Sequence, residues 1–519
     1  MSTANSYDEV IYDSTARYAM HPDSLATLAT LTGMTPAPVP RCRYLEIGCA
    51  NGGNLLSLAD AYPESQFVGI DQSARQIELG RKVARALEFK NLRFEVADLE
   101  EFQAEPASFD YIAAHGLYSW IRPAKQQALL RQIKRLLAPQ GVAYISYNIY
   151  PGWYLRAPVR DMMLYHVRNL KTPEERVQHG RNFVEFAART YEGSDSSWAR
   201  LVRDEAELLR INPDFYVFHE HLEETNQAVY FRDFIAQARD AGLQYLGESG
   251  IHYGAETLKP EIRRELEAVS ADLIELEQYV DFIKGRAFRR TLLVHDTIRL
   301  ERAAPLERLT QMHLVAQARP VNAKPDIQGP SSEKFRNDDG VEIETSHPLA
   351  KAALMTLFEI WPSTLTFPEV VEHSRQRVGP EIYPLPEAQN LLAQGLIRLY
   401  LAGLLGVQTL PAPFCRVLHE RPKTSPLIGL QARSAARIIN RRHREVQLSG
   451  LDRLVLGMLD GTRDRNALLD EGTRRILQGA LEIKRGNELI RDPAVIRDIL
   501  AAELEPSLQR LASSAVLVD

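Results

Sequence analysis

Cysteine and long apolar runs are scarce in this chain, and each shortage excludes a class of protein. Three of the 519 residues are cysteine. Their positions, 42, 49 and 415, show no paired spacing, which argues against a disulfide framework or a cysteine zinc site. No apolar run reaches the length of a transmembrane helix, and MSTANSYDEV lacks the basic and apolar parts of a secretory signal. The sequence therefore predicts a cytoplasmic protein without a metal.

An excess of either charge is also missing. The 62 basic and 68 acidic residues leave a net charge of -6, so neither nucleic acid nor an anionic membrane is an expected partner. One basic stretch, RSAARIINRRHRE, is interpreted as a solvated helix face, with contact to nucleic acid as the alternative. A chain of this length exceeds one compact core, and about two to four domains are expected.

Apolar strands and helical segments alternate over the first third of the chain. Strands are predicted at Arg43–Ile47, Gln66–Ile70, Leu92–Ala97, Phe109–Ala114 and Val142–Asn148. This alternation is typical of right-handed βαβ units and a parallel sheet, whose ligands bind beyond the carboxyl ends of the strands. The pattern then becomes helical, with one long helical stretch predicted at Lys259–Ile283. Leu243–Gly247 and Phe288–His295 are predicted to complete the same sheet.

Five segments follow from this pattern. Residues 1–40 are predicted to form an N-terminal lid arm, 41–155 a Rossmann-like core, and 156–300 a helical insertion that completes the sheet. Residues 301–345 are rich in proline and polar side chains and are predicted to be a linker. Residues 346–519 show short helices followed by apolar ends, a pattern that resembles winged-helix modules. The predicted fold class is α/β, with a mainly helical C-terminal region.

The stretch LEIGCANGGN, Leu45–Asn54, joins the first strand to the first helix and is predicted to hold a ligand. Glycine lets a ligand approach the backbone, and a helix start presents N–H groups. A dinucleotide site has the spacing G-x-G-x-x-G, but Ala50 stands at its third position. Glu46 adds a carboxylate that repels pyrophosphate and suits a cationic ligand. S-adenosylmethionine carries both an ammonium and a sulfonium group.

Two further acids follow neighbouring strands. Asp71 is predicted to accept hydrogen bonds from both ribose hydroxyls, with support of the next helix start as the alternative. Asp98, followed by Leu99, is predicted to meet the adenine, with a solvated turn as the alternative. The ordered set of Glu46, glycine turn, Asp71 and Asp98 is far more specific than a glycine loop alone.

Six motifs between about Tyr7 and His295 resemble a known family: LEIGCANGGN, VGIDQS, HGLYSWI, SYNIYPGW, FHEHLEETNQAVYFRDF and FIKGRAFRRTLL. The region resembles class I S-adenosylmethionine-dependent methyltransferases that carry a methyltransferase regulatory domain. It is similar to the bacterial protein-lysine methyltransferases that modify outer-membrane protein B. Their winged-helix-like C-terminal modules resemble LDGTRDRNALL near Leu459, whereas Ile11 departs from the proline expected in the family.

The resemblance implies a seven-stranded sheet with an antiparallel last strand, and S-adenosyl-L-methionine as cofactor. It implies cofactor contacts at Glu46, Gly48, Asp71, Gln72, Asp98 and Leu99. The predicted cofactor-binding set also takes in Cys49, Gly52 and Asn54 of the same turn. Tyr12 completes the set as a lid over the turn, with packing of the arm as the alternative.

The methyl acceptor is expected over the fourth and fifth strands. The loops there supply Tyr118, Trp120, Tyr147, Tyr150, Trp153 and Tyr154. Aromatic walls suit a lysine side chain, because its stem is apolar and ring faces attract its cation. They suit an aromatic small molecule equally, or pack the inserted helices. His115 is the candidate base, with a hydrogen-bonded histidine at a strand end as the alternative. Asn148 is expected to orient an amine through its side-chain carbonyl, and Tyr118 completes the predicted catalytic set.

Three functions remain compatible with these residues. The first is transfer of a methyl group to a protein lysine by in-line displacement, with the C-terminal modules recruiting the protein. The second is methylation of a small molecule in a pocket closed by the inserted helices. The third is a non-catalytic protein in which the bound cofactor regulates the C-terminal modules.

Overall fold

The computed structural model describes residues 6–250, 254–255, 258–302, 305–338, 340–434, 437–486 and 488–519. Residues 1–5 of the predicted lid arm lie outside this set. The chain divides into two units. The first comprises Met1–Thr15, Gly33–Leu55 and Glu64–Leu300, and the second comprises Ala16–Thr32, Leu56–Pro63 and Glu301–Asp519. Two early segments thus belong to the same unit as the C-terminal residues.

The elements up to residue 300 alternate as the sequence predicts and then become mainly helical. In chain order they are α1 (Ser6–Glu9), α2 (Pro22–Leu31), β1 (Arg43–Ile47), α3 (Gly53–Ala61), β2 (Gln66–Asp71), α4 (Ala74–Ala86), β3 (Leu92–Val96), β4 (Phe109–Ala114), α5 (Pro123–Leu136), β5 (Leu137–Asn148), α6 (Trp153–Val167), α7 (Pro173–Thr190), α8 (Ser197–Ile211), α9 (Asp214–His221), α10 (Phe231–Asp240), β6 (Leu243–Glu248), α11 (Pro260–Val269), α12 (Leu273–Lys284) and β7 (Phe288–His295).

Seven strands of the first unit form one sheet in the order β3-β2-β1-β4-β5-β7-β6. β1 to β5 pair in parallel, and β7 runs antiparallel to both β5 and β6. This confirms the predicted sheet and its antiparallel last strand. In the register of β1, Glu46 lies opposite Gly69 of β2 and Ala113 of β4. The carboxyl ends of these three strands therefore meet at one edge of the sheet.

Two elements differ from the predictions by more than one residue. β5 begins at Leu137, five residues before the predicted Val142. The predicted helical stretch Lys259–Ile283 is two helices, α11 and α12. The break occurs because Asp272 caps α12 and accepts a hydrogen bond from Glu275 N at 2.9 Å, which is the usual role of aspartate at a helix start.

A buried arginine joins the last two strands to α12. The Arg289 side chain is 1% exposed and contacts three carboxylates, Glu248 at 2.8 Å and Glu277 and Asp281 at 2.9 Å each. Asp281 also pairs with Arg286 at 3.1 Å. Buried charges are tolerated when they are paired and hydrogen-bonded, so this cluster fixes β6, β7 and α12 together.

The second unit contains shorter strands. Its later elements are α13 (Pro305–Leu309), β8 (His313–Val315), β9 (Arg319–Pro320), β10 (Glu333–Arg336), β11 (Glu342–Thr345), α14 (Pro348–Ile360), β12 (Leu365–Thr366), α15 (Phe367–Val378), α16 (Leu385–Leu401), β13 (Gly406–Gln408), β14 (Lys423–Thr424), α17 (Pro426–Ser434), β15 (Ile438–Ile439), β16 (Glu445–Val446), α18 (Gly450–Leu456), α19 (Arg465–Leu477), β17 (Lys484–Arg485), β18 (Glu488–Leu489), α20 (Pro493–Ser513) and β19 (Leu517–Val518).

The segment predicted to be a linker is instead ordered structure. Leu314 of β8 and Phe335 of β10 are fully buried. The polar loop before β10 is held from inside, because Lys351 Nζ donates to the carbonyl oxygens of Asp326, Gly329 and Ser331 at 2.6, 2.8 and 2.9 Å. The prediction of a linker was wrong because a distant lysine satisfies these carbonyls, which the local composition does not reveal.

The basic stretch RSAARIINRRHRE is only partly a surface feature; its residues 435–436 lie outside the described set. Arg441 pairs with Asp60 at 3.1 Å, and both side chains are at most 10% exposed. Arg442 lies over the Trp361 ring at 4.7 Å and donates to Pro362 O at 2.9 Å. These two arginines pack inside the second unit, so the predicted solvated face is wrong at both positions.

No helix in the described part of the chain is long and apolar enough to cross a membrane.

We expect Asp281→Ala to destabilise the first unit strongly. The substitution leaves the buried Arg289 with fewer anionic partners, and breaking a buried ion pair costs about 3–5 kcal/mol. Glu267→Ala is the matched control. Glu267 forms an ion pair with Arg263 at the surface, where the two side chains are 42% and 41% exposed, so this pair should contribute less than about 1 kcal/mol to the free energy of unfolding. Equilibrium urea unfolding measures both variants, and equal losses would contradict a structural role for the buried cluster.

Candidate active site

The turn after β1 is shaped by the groups that pack on it. Gly52 has φ of +76°, and a Cβ there would lie 2.2 Å from Cζ of Phe94. A Cβ on Gly53 would lie 2.1 Å from the carbonyl oxygen of Ser14. Both positions therefore require glycine on steric grounds. The sequence assigned these glycines to the approach of a ligand, whereas the structure shows that they admit Phe94 and the N-terminal segment.

Glu46 is a buried carboxylate at the edge of this turn. It is 4% exposed, and its Oε2 accepts a hydrogen bond from Asn54 Nδ2 at 2.9 Å. Burial raises the pKa of Glu46 to about 8, because removing a carboxylate from water disfavours its charged form. A cation at this position would favour the ionised form. The environment of Glu46 therefore fits the positive charge of an ammonium or sulfonium group.

Asp71 organises the turn from the end of β2. One of its carboxylate oxygens accepts from Ala50 N and the other from Ser73 N, both at 2.9 Å. Burial raises the pKa of Asp71. The alternative that the sequence left open, support of the next helix start, is thus present in the structure. A carboxylate has further lone pairs, and contact with the ribose hydroxyls stays a prediction, as does a contact of the exposed Gln72.

Asp98, after β3, has a cationic partner that the sequence did not predict. Its Oδ2 accepts from Lys125 Nζ of α5, and its Oδ1 accepts from Glu100 N at 3.0 Å. Burial raises the pKa of Asp98, but the Glu100 N–H and the Lys125 ammonium outweigh it, so that its pKa lies below the ordinary value. Leu99 is buried beside it. Adenine contacts for this pair stay a prediction.

Two predicted cofactor contacts have other partners. Cys49 is buried, its N–H donates to Ile70 O at 3.0 Å, and its carbonyl accepts from Gly52 N at 2.9 Å. Both backbone polar groups of Cys49 are thus engaged in the turn. Asn54 is 1% exposed and binds Glu46. Cofactor contacts of both residues stay predictions; in the structure Cys49 shapes the turn, and Asn54 hydrogen-bonds the Glu46 carboxylate. Gly48, with φ of +75°, starts the turn.

Residues 7–15, the arm segment, cross the carboxyl ends of the strands. Ser14 Oγ accepts from Gly53 N at 2.8 Å and donates to Asn51 Oδ1 at 2.5 Å. Farther back, Asp8 Oδ1 accepts from Ser73 Oγ at 2.6 Å, at the start of α4. The arm segment therefore contacts both helix starts that border the site, and it already uses an N–H at the start of α3.

An imidazole of α9 anchors the arm segment. His219 stacks on Tyr7 with ring centroids 4.3 Å apart, and its Nε2 lies 2.8 Å from Val10 O. Tyr12 meets Phe215 edge to face at 5.3 Å. The ring of Tyr12 thus packs on α9, which is the packing alternative; a further role as a lid stays a prediction. His219 lies in the motif FHEHLEETNQAVYFRDF, but its contact with the arm was not predicted.

The predicted catalytic residues have different surroundings. Tyr118 is fully buried, its hydroxyl donates to Gln237 Oε1 at 2.9 Å, and its ring packs edge to face on Phe234. Burial raises its pKa. The catalytic assignment of Tyr118 is therefore corrected to a core role.

His115 is half-buried, with Nδ1 2.9 Å from the Tyr144 hydroxyl and 3.0 Å from Ser146 Oγ. Its role as a base stays a prediction.

Asn148 lies at the carboxyl end of β5 with an unsatisfied donor. The residue is 3% exposed, and its Nδ2 has no hydrogen-bond partner within the described residues. Its backbone is fixed, because its N–H donates to Ser119 Oγ at 2.8 Å and its carbonyl accepts from Val229 N at 3.2 Å. A buried amide without a partner is costly in a structural role. Asn148 is therefore suited to meet an acceptor molecule.

An exposed aromatic cluster borders the same end of β5. It consists of Tyr150, Tyr154, Tyr230 and Phe282. Tyr150 stacks on Tyr154 at 4.0 Å and lies 5.4 Å from Tyr230, which lies 5.9 Å from Phe282. Tyr154 and Phe282 are 53% and 46% exposed. The sequence predicted Tyr150 and Tyr154, and missed Tyr230, which directly precedes α10, and Phe282 of α12.

Two other predicted wall residues, Tyr147 and Trp153, are at most 6% exposed. Tyr147 stacks on Phe234 at 4.0 Å. Both are corrected from wall to core residues.

Three family models match the chain. A methyltransferase domain matches residues 39–175, a predicted methyltransferase regulatory domain matches 213–295, and a PKMT C-terminal winged helix domain matches 420–516. The first match contains the glycine turn, Asp71 and Asp98, and the second contains His219 and Tyr230. The third confirms a winged-helix fold for the last of the predicted C-terminal modules.

Whole-length relatives agree with these matches. The uncharacterized protein RP789 of Rickettsia prowazekii (strain Madrid E) is 31% identical over 99% of this chain and 94% of its own. The structure of PKMT2 from Rickettsia typhi has a TM-score of 0.88 at 29% identity, covering 98% of this chain and all of that one. The same protein in complex with AdoHcy has a TM-score of 0.85 at 28% identity, with the same coverage.

AdoHcy is what S-adenosylmethionine becomes once its methyl group is lost, and the buried Glu46 carboxyl fits the cofactor's cationic end because a cation favours its ionised form. The cofactor is S-adenosylmethionine, as the sequence predicts. The chain belongs to the PKMT family of class I S-adenosylmethionine-dependent methyltransferases.

Proposed function

We propose that this methyltransferase transfers its methyl group to the side-chain amine of lysine in a protein. The observation that carries the proposal is the exposed aromatic cluster at the carboxyl end of β5, because ring faces attract an ammonium ion and its methylated products. The likeness to PKMT2 over 98% of the chain supports it, since that name abbreviates protein lysine methyltransferase. A side chain on a polypeptide also explains why the cluster is open to solvent.

Three acidic residues are proposed to bind different parts of the cofactor. Glu46 holds the cationic methionine end, Asp71 accepts from the ribose hydroxyls, and Asp98 with Leu99 receives the adenine. Bound S-adenosylmethionine supplies an electrophilic methyl group on a sulfonium. The arm segment covers the helix starts beside the turn and, on this proposal, keeps water from the bound cofactor.

The acceptor site is proposed to align the amine rather than to activate it strongly. The aromatic cluster guides the apolar stem of the lysine, and Asn148 donates its Nδ2 hydrogen to an oxygen of the acceptor polypeptide. Alignment alone lowers the barrier of a bimolecular displacement considerably. Residues 420–516 and the preceding helices of the second unit are proposed to recruit the protein substrate.

Labelling with methyl-tritiated S-adenosylmethionine tests the reaction. We expect purified enzyme and bacterial lysate to give a labelled protein band whose hydrolysate contains methyl-lysine, because the cluster accepts a side chain. Heat-treated enzyme is the control. Label confined to low-mass material would contradict the protein substrate, and absence of transfer despite cofactor binding would contradict catalysis.

Cofactor binding at pH 7 is expected to release a proton. Free Glu46, with its pKa near 8, is mostly protonated at this pH, and a cationic ligand favours its ionised form, so the proton leaves on binding. Glu46→Gln should abolish this release and weaken binding about tenfold, as expected for a charge-assisted hydrogen bond. Calorimetry in buffers of different ionisation enthalpy measures the proton count.

Asp98→Asn is the control for that experiment. The pKa of Asp98 lies below its ordinary value, so its carboxyl is already ionised at pH 7 and the variant should release a proton as the wild type does. Equal proton release by wild type and Glu46→Gln would remove Glu46 from the cationic end of the site.

Tyr154→Ala is expected to raise KM for the protein substrate severalfold while cofactor affinity stays unchanged. The substitution removes one ring of the stacked pair with Tyr150, and a cation–π contact contributes about 0.5–1 kcal/mol at an exposed site. Tyr165→Ala is the matched control, because Tyr165 is 68% exposed on α6 outside the cluster. Equal effects of both substitutions on KM would contradict a role of the cluster in acceptor binding.

A further inference from the structure

Three side chains that can bind metal converge in the second unit, outside the methyltransferase site. Cys415 Sγ lies 3.7 Å from His419 Nε2, which lies 3.7 Å from Asp519 Oδ1. The three atoms all lie within 4.8 Å of one another. Among the described residues, no other group of three or more such side chains meets this condition. The sequence argued against a zinc site because its cysteines are scattered, and it could not place Asp519 beside Cys415.

Two of the three separations are close to those of ligands around one zinc ion. Zinc binds sulfur at about 2.3 Å and imidazole nitrogen or carboxylate oxygen at about 2.0–2.2 Å in a tetrahedron, which puts neighbouring ligand atoms roughly 3.3–3.7 Å apart. The two 3.7 Å contacts therefore need little adjustment.

A Cys-His-Asp set is also found in nucleophilic enzymes, but this geometry differs from theirs. In a catalytic triad the imidazole bridges the nucleophile and the acid through its two different nitrogens. Here both the thiol and the carboxylate approach the same atom, Nε2 of His419. The three donors thus surround a common point, as metal ligands do.

Hydrogen bonds hold Cys415 and His419 in place and bring the end of β19 beside them. Cys415 N donates to Leu517 O at 2.9 Å, and β19, which contains Leu517, pairs with β14 just after the His419 loop. The carbonyl oxygens of His419 and Glu420 accept from Arg465. The side chains remain accessible, since those of His419 and Asp519 are 54% and 88% exposed. An ion can enter, and water can take a fourth position.

We propose that Cys415, His419 and Asp519 bind a Zn²⁺ ion that joins the end of β19 to the loop before β14. Thiolate and imidazole ligands select zinc over magnesium or calcium. The thiol proton of Cys415 passes to solvent when sulfur binds the metal. The ion would stabilise the winged-helix module, and this site is independent of the proposed lysine specificity.

Metal titration of the full chain tests the proposal. We expect one zinc ion per chain, and a thiolate-to-metal absorption band when Co²⁺ replaces zinc. Cys415→Ser should abolish the band, and His419→Gln and Asp519→Asn should each weaken zinc binding at least about tenfold. Zinc should also raise the unfolding temperature of the wild type and leave that of Cys415→Ser unchanged.

Two variants serve as controls. Cys42→Ser removes a different buried thiol, and His373→Gln removes an exposed imidazole on α15; both should bind zinc as the wild type does. A titration without saturable binding would overturn the proposal. So would a Co²⁺ band that survives Cys415→Ser, because the thiolate would then come from another cysteine.

Discussion

A carboxylate withdrawn from water at the edge of a parallel sheet is the constraint around which the methyltransferase site is built. Glu46 is buried and accepts a hydrogen bond from Asn54. Burial raises the pKa of Glu46 to about 8. Such a group is poorly stabilised as an anion until a cation arrives. The parallel register of β1 with β2 and β4 then brings the ends of the neighbouring strands to the same edge. The proposed role of Glu46 at the cationic end of the cofactor rests on this one placement.

Contacts within the protein explain why the turn beside Glu46 contains glycine. Gly52 makes room for Phe94, and Gly53 makes room for Ser14 of the arm segment. His219 of the regulatory region holds the same arm segment through Tyr7 and Val10. The arm segment therefore links the cofactor turn to α9 within the first unit. These contacts form a continuous chain from α9 to the turn after β1.

The second unit shows how misleading local composition can be. Its proline-rich and polar segment packs because Lys351 satisfies three carbonyl oxygens from within. Part of its basic stretch packs because Arg441 forms an ion pair with Asp60 and Arg442 lies over the ring of Trp361. In both cases the partner lies outside the segment itself. The composition of the segment therefore suggests exposed residues, although the folded protein buries several of them.

The sequence by itself determined the positions of the first five strands, the cofactor class and the family, and the resemblance to that family implied the seven-stranded sheet. These depend on alternating apolar segments, on acids at strand ends and on short motifs, which are all local in the chain. The tertiary structure decided which of the predicted residues stay available to ligands. It moved Tyr118 into the core, engaged Cys49 in the turn, and left Asn148 Nδ2 without a hydrogen-bond partner among the residues that the structure describes. It also joined Tyr230 and Phe282 to Tyr150. Burial and side-chain partners arise from residues far apart in the sequence, and spacing alone does not encode them.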